Sequence, residues 1–301
     1  TSLKAKSCST PFSRGRYSTD ASIYQIEPIG VVVPRHSADI VAALQIAAEE
    51  GVTVLPRGGG TSQIGQTTGE SLVVDVSKYL NRVLAFDAAA RTVTVEPGLV
   101  LEPLNKFLKP HGLFYPVDVS TGNRATLGGM AGNNSCGSRS IRYGNMVHNV
   151  RTIDALLADG SEHRFAEVAA DLSGLDADAR YAQIVRRLRA LGEREAGEVA
   201  RRFPKLLRRV GGYNIDTLKS GGHNMAQMLV GSEGTLAFFT RLELKLQPIP
   251  PHKVLGICHF PSFYQAMDAT QHVVKLGPSA VELVDRTMID LSRDIAMFRA
   301  T

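Results

Sequence analysis

Three consecutive glycines constrain this chain more than any other stretch of it. They stand in Pro56-Arg57-Gly58-Gly59-Gly60-Thr61-Ser62, after the β-branched segment Val52-Thr53-Val54-Leu55 and before Gly65-Gln66. That order reads as a strand running into a tight loop. Without Cβ atoms the loop backbone reaches positive φ freely and can turn successive NH groups toward one point, a nest whose natural guest is a phosphate. A Walker A loop would end in Gly-Lys-Ser/Thr, and no lysine occurs here. A dinucleotide-binding G-x-G-x-x-G loop also matches poorly, because the glycines are contiguous and no long amphipathic helix follows directly. On this run alone, a glycine-rich surface turn is the competing reading.

The flanking residues predict an α+β unit. Residues 1–25, rich in Ser, Thr and Arg, read as an arm laid over a domain surface. Residues 30–33 (Gly-Val-Val-Val) predict a buried strand closed by Pro34. A helix follows, with Ser37 as the expected N-cap, an apolar face of Ile40, Val41, Leu44, Ala47 and Ala48, and Gly51 where a left-handed residue is wanted. The strand 52–55 completes β-α-β, segments 72–76 and 92–96 are further strands, and Leu101, Leu104, Phe107 and Leu108 mark a helix ending near Gly112.

Residues 116–146 carry few large apolar side chains yet lie between strand-like segments. A loop of that length is unusual in a compact domain and favours a functional role. Small residues let the backbone approach a flat, extended ligand, and Ser120, Thr121, Asn133, Asn134 and Ser135 supply neutral hydrogen-bonding groups. A long flexible loop is the alternative. Residues 153–165, with a turn at Asp159-Gly160, predict a hairpin.

Four motifs now stand in order: residues 56–66; residues 116–145, with Leu127-Gly128-Gly129 and Arg142-Tyr143-Gly144; Leu156-Leu157-Ala158-Asp159-Gly160; and Gly231-Ser232-Glu233-Gly234-Thr235-Leu236. Together they resemble the PCMH-type FAD-binding domain of the vanillyl-alcohol oxidase family, and within it the FAD-linked D-2-hydroxyacid dehydrogenases of the D-lactate, glycolate and D-2-hydroxyglutarate type. The resemblance spans roughly residues 15–290. It implies a 1–25 arm, an FAD-binding domain over 26–247 built of two α+β subdomains with a helical insertion at about 166–211, and the beginning of an α+β substrate cap over 248–301. The flavin would extend between the subdomains. Its pyrophosphate would sit on Pro56, Arg57, Gly58, Gly59, Gly60, Thr61 and Ser62, with Gly65 and Gln66 beyond, and on the turn of Ser120 and Thr121 after Pro116. Thr126, Gly128, Gly129, Gly132, Asn133, Ser135 and Gly137 would border the ring system, with Arg142, Tyr143 and Gly144 following. Ile153 would lie at the adenine end, and Gly231, Glu233 and Gly234 at the rear.

Some relatives read Gly-Gly-Gly-His-Ser in the first motif, and that histidine bonds covalently to the flavin. Thr61 stands there instead, so FAD is expected to be noncovalent. His148 is the nearest other histidine, and a hydrogen-bonding role is its ordinary reading. Within the insertion, Ile184, Val185, Leu188 and Leu191 are helically spaced, with arginines on the other faces. The formal charge of +5 concentrates here: ten of the 34 Lys and Arg residues, but only three of the 29 Asp and Glu residues, lie between 180 and 209. A solvated helix is one reading, and a docking surface for an acidic partner or anionic lipid the other. A nucleic-acid adaptor is disfavoured because few aromatic residues, Tyr181 and Phe203, interleave with these arginines. Residues 254–260 and 280–284 predict strands around a 262–276 helix, as at the start of the family's cap. The family's metal-ligand histidines and substrate-binding arginine lie past that point, so no metal site is expected, no catalytic base is assigned, and the chain is expected to be part of a longer protein.

The 301 residues, 44% of them hydrophobic, suffice for a sizeable core. Cys8, Cys136 and Cys258 are scattered without a C-x-x-C, arguing against disulfide, zinc or iron-sulfur frameworks. No long apolar stretch predicts a spanning helix or signal peptide, so the expected setting is cytoplasmic, with peripheral association at the inner membrane as an option. The function implied by the resemblance is oxidation of a small 2-hydroxy acid to the 2-oxo acid, with electrons passed to an iron-sulfur module or quinone. The alternative is a non-catalytic flavin-binding or electron-relay module.

Overall fold

Two sheets of different construction organise the chain, for which a computed structural model describes residues 6–8, 10–175, 178–206, 208–218 and 222–298. The first runs in the order Lys6–Cys8, Gly30–Val33, Leu72–Asp75, Val54–Arg57. Its last three strands are parallel, and the N-terminal strand adds antiparallel at the edge. Alternation along the valine runs divides their side chains between the faces. Val31, Val33 and Val73 pack with Tyr17, Leu55 and Tyr79, whereas Val32 and Val74 meet Ile40 and Ala43 of the helix Ser37–Glu49. His36, not Ser37, caps that helix, because the Asp39 carboxylate accepts from the NH groups of Arg35 (2.9 Å) and His36 (3.1 Å).

The second sheet is antiparallel, in the order Val83–Asp87, Thr92–Val95, Phe238–Lys245, Val150–Leu156, Glu162–Phe165. The strand Val83–Asp87 escapes the sequence pattern because its side chains are largely exposed. The late strand Phe238–Lys245 lies centrally, and Leu242 and Leu244 join Val93, Val95 and the buried leucines of the helix Leu101–Leu108 in the main core. Leu156 and Phe238 instead enter the core beside Val32, Ile40 and Val74, and there the two units meet.

The helix Ala179–Arg202 is docked over its first half. Asp178 caps it by accepting from the NH of Tyr181 (2.9 Å) and also holds the buried His163 Nδ1 at 2.6 Å. Tyr181 stacks on His163 and meets Phe165 edge-on, while Ala182 and Val185 are buried. Gly192 lies so close to the Leu218 backbone that a Cβ would collide with it. Beyond this point the helix is solvated, as its arginines lead one to expect.

The strands expected at 254–260 and 280–284 do not form; the segment contains the helices Phe263–Val273 and Arg286–Arg293. A strand needs a neighbour for its backbone groups, and among the described residues none pairs with these segments. No residue described in 249–298 is buried.

Gly192→Val is expected to lower stability by about 1–3 kcal/mol through overpacking. It should also open the arginine-rich helix to trypsin; an unchanged digestion pattern would place the helix elsewhere.

Candidate cofactor-binding site

The glycine loop leaves the sheet at the carboxyl end of the parallel strand Val54–Arg57, where open α/β sheets characteristically place ligands. Only Gly60 of the three glycines is left-handed, at φ 62°. A Cβ on Gly58 would strike the Thr126 side chain, and one on Gly59 the carbonyl of Arg124. The expected run of positive φ is thus corrected: one glycine makes the turn, and two admit the backbone of 124–126. Among the described residues, the NH groups of Gly59, Gly60, Thr61 and Ser62 and the hydroxyls of Thr61 and Ser62 bond no protein group. The same holds for the NH groups and hydroxyls of Ser120 and Thr121 on the second unit. Both sets line one cleft of about 480 Å³.

The helix Leu127–Asn133 forms its wall. Thr126 caps it through Gly129 NH (3.3 Å), and Leu127 and Ala131 bury the side away from the cleft. Each glycine inside a helix costs about 1 kcal/mol relative to alanine, so each invites a reason. Gly128 is pressed against Pro97. Gly132 has nothing within 4 Å of an added Cβ and lines the cleft, so the space it leaves is available to a ligand. The turn 231–234 docks on this helix through Gly231 NH to Ala131 O and Glu233 NH to Gly132 O, both 2.9 Å. Glu233 adopts φ 51°, uncommon for a side-chain-bearing residue. Its carboxylate accepts from Asn133 (2.8 Å) and Gln66 (3.4 Å), tying the two walls together. Gln66 Oε1 is buried in the lining without a partner among the described residues.

Of the residues expected at the cofactor, Pro56, Arg57, Gly58, Gly59, Gly60, Thr61, Ser62, Gln66, Ser120, Thr121, Thr126, Gly128, Gly129, Gly132, Asn133, Ser135, Glu233 and Gly234 line the cleft. Gly65, Pro116, Gly137, Arg142, Tyr143, Gly144, Ile153 and Gly231 do not. Gly65 lies against the Tyr24 ring, and Gly137 against Asp118. Arg142 donates to Gly277 O (3.3 Å), Tyr143 meets Phe114 edge-on, and Gly144 turns at φ 74° beside His148. Ile153 is fully buried in the core of the second sheet. Sequence reasoning missed the apolar lining of Ile64, Val119, Met130, Val210, Phe238 and Phe239. Residues of this type read as core, and no local signal separates the two roles.

The expectation for Arg57 changes in detail, and His148 takes the hydrogen-bonding role that was its ordinary reading. The Arg57 guanidinium is engaged inside the fold, donating to Thr67 O (2.7 Å) and Thr19 O (2.8 Å), so it is not a free cation for a phosphate. His148 lies outside the cleft lining, and its Nδ1 accepts from Asn145 NH at 3.0 Å. Its pKa is lowered from the ordinary 6.5 by burial, then by Lys245 and Arg209. Among the described residues, no group of three or more His, Cys, Asp or Glu is placed to hold a metal ion, and no helix is long and apolar enough to cross a membrane.

With the cleft described, comparison with known proteins can be set beside it. Residues 28–166 match a family model described as an FAD binding domain. Residues 249–300 match a family model described as the C-terminal domain of FAD linked oxidases. It is 34% identical over 289 residues to a D-2-hydroxyglutarate dehydrogenase of Escherichia coli (strain K12), covering 92% of this chain and 28% of that protein. A D-2-hydroxyglutarate dehydrogenase of Haemophilus influenzae is 31% identical, with coverages of 92% and 28%. The glycolate oxidase subunit GlcD of Bacillus subtilis is 28% identical over 93% of this chain and 50% of its own length. The chain therefore spans 28% of the length of these two D-2-hydroxyglutarate dehydrogenases and half that of the glycolate oxidase subunit. In fold it is similar to an alkyldihydroxyacetonephosphate synthase, with a TM-score of 0.64 at 19% identity, covering 98% of this chain and 50% of that one.

Gly132→Leu is expected to weaken FAD binding at least tenfold without lowering the melting temperature of the flavin-free protein, because leucine is the better helix former and its Cβ has no protein atom within 4 Å. Unchanged affinity in a fluorescence titration would remove this helix from the site. His148 has a lowered folded pKa, so its contribution is complete above pH 6.5 and fades as the pH falls through the folded value. Denaturant midpoints measured between pH 7.5 and 5 should fall less in His148→Gln than in the unaltered protein.

Proposed function

We propose that this chain holds FAD noncovalently for an enzyme that oxidises a D-2-hydroxy acid to the 2-oxo acid and passes the electrons to an iron-sulfur module or quinone. The observation that carries the reading is the pair of opposed loops, Gly59 to Ser62 and Ser120-Thr121, which line one cleft and whose NH and hydroxyl donors have no partner among the described residues. Such neutral donors suit a diphosphate, and the room beside Gly129 and Gly132 suits a flat ring. When bound, the flavin supplies a centre that accepts a hydride from the substrate carbinol carbon. The chain's part is to position that group and to keep water from it with Met130, Phe238 and Phe239. Thr61 offers a hydroxyl where relatives with a histidyl link carry the nucleophilic ring. The names of the relatives, dehydrogenases of D-2-hydroxyglutarate and D-lactate and a glycolate oxidase subunit, support a small 2-hydroxy acid as substrate. The division into an arm (1–25), an FAD-binding domain (26–247) and a cap segment (248–301) is consistent with the two sheets and the exposed helices after Pro248.

Protein saturated with FAD and then precipitated by acid should leave the flavin in the supernatant. Colour retained by the pellet would overturn the noncovalent assignment. No described residue of 249–298 is buried, and none of them lines the cleft. Anaerobic mixing of the flavin-loaded chain with D-2-hydroxyglutarate, D-lactate or glycolate is therefore expected to leave the flavin oxidised. Rapid bleaching would place a complete substrate site within these residues.

A further inference from the structure

The arm that precedes the first parallel strand reaches the glycine loop at three points. Thr19 O accepts from Arg57 Nη2 at 2.8 Å, just before the loop. Ala21 NH donates to Gly60 O at 3.1 Å, in the loop itself. The Asp20 carboxylate accepts from Thr67 Oγ1 (2.9 Å), after the loop, and from Ser22 NH (2.8 Å), which shapes the arm. Arg57 completes the frame: it is 9% exposed and donates through Nη1 to Thr67 O. A Cβ on Gly60 would collide with its guanidinium, so that group fills the space behind the turn.

One of these bonds bears directly on the site. A trans peptide is planar, with its C=O and N–H pointing in opposite directions. Holding the Gly60 carbonyl on Ala21 therefore turns the Thr61 NH the other way, and Thr61 lines the cleft with that NH unpaired. The direction of a phosphate-facing donor is thus set by a residue of the arm, forty positions earlier in the chain. Asp20 does not line the cleft, and neither does Ala21.

We propose that residues 17–22 clamp the phosphate-binding loop, with Asp20 and Arg57 as positioning residues, so that arm docking and cofactor binding are one linked equilibrium. The proposal rests on the reading that this loop receives the FAD diphosphate. Tyr17 anchors the near end of the clamp, its hydroxyl donating to Asp75 Oδ2 at 2.7 Å on the neighbouring parallel strand. A nest whose peptides are already oriented binds an anion without the cost of ordering them. Linkage then requires the reverse effect of equal size: bound FAD must hold the arm down.

The test uses the full chain. Hydrogen exchange over residues 17–25, followed by mass spectrometry, should slow about tenfold or more on saturation with FAD. Asp20→Ala removes the bonds to Thr67 and Ser22 and should raise the Kd for FAD about tenfold, while Asp20→Asn, which retains an acceptor oxygen, should recover most of the affinity. A merely structural role for Asp20 would shift the melting temperature of the flavin-free protein and leave both the Kd and the FAD-dependent exchange unchanged. That result overturns the clamp and leaves the loop assignment standing. Failure of the unaltered chain to bind FAD overturns both. Should Asp20→Ala not fold, the exchange measurement on the unaltered chain decides, since an arm that exchanges equally fast with and without FAD is not coupled to the loop.

Discussion

Two backbones pressed together hold this site. Gly59 packs on the carbonyl of Arg124, and Gly58 on Thr126, at distances no residue with a Cβ could reach. Because the glycine loop belongs to the parallel sheet and residues 124–126 lead into the helix Leu127–Asn133, this contact sets the width of the cleft between the two units. Leu156 and Phe238 reinforce it by leaving the second sheet's side for the first unit's core. A cleft built this way has walls of peptide and small side chains, which suits a long flat ligand approached along its whole length.

The electrostatics follow from the same packing. The cation nearest the loop, Arg57, is buried, and burial lowers its pKa while the neighbouring Asp20 and Asp75 oppose that effect. Its charge is balanced within the fold, so the donors left for an anion are backbone NH groups and hydroxyls. The excess of arginine lies elsewhere, on the helix Ala179–Arg202, where several pair with Glu195 and Glu198 along the exposed half. Net charge and phosphate recognition are therefore separate properties of this chain.

Glycine recurs through the site for reasons that differ by position. Gly60 makes a left-handed turn, Gly58, Gly59, Gly128 and Gly137 admit neighbouring chain or side-chain atoms, and Gly132 leaves open space in the cleft. In the sequence all six look alike. The motif thus marked the region but not the roles, and Gly137, Arg142 to Gly144 and Ile153 turned out to support the fold away from the cleft lining.

Local pattern was enough for the sequence alone to determine the parallel strands, the helix Ser37–Glu49, the hairpin after Val150, the arginine-rich helix and the position of the glycine loop. Each depends on residues within a few positions of one another, through side-chain alternation, helical spacing or the conformational freedom of glycine. The tertiary structure decided what depends on partners far along the chain. It engaged Arg57 with Thr19 and Thr67, and it set His148 to accept from Asn145. Among the described residues it paired no strand with 254–260, and it brought apolar Phe238 and Phe239 to a cleft rather than wholly into a core. A side chain's chemistry is written in the sequence, but whether that chemistry is free to meet a ligand is settled by the atoms that folding brings beside it.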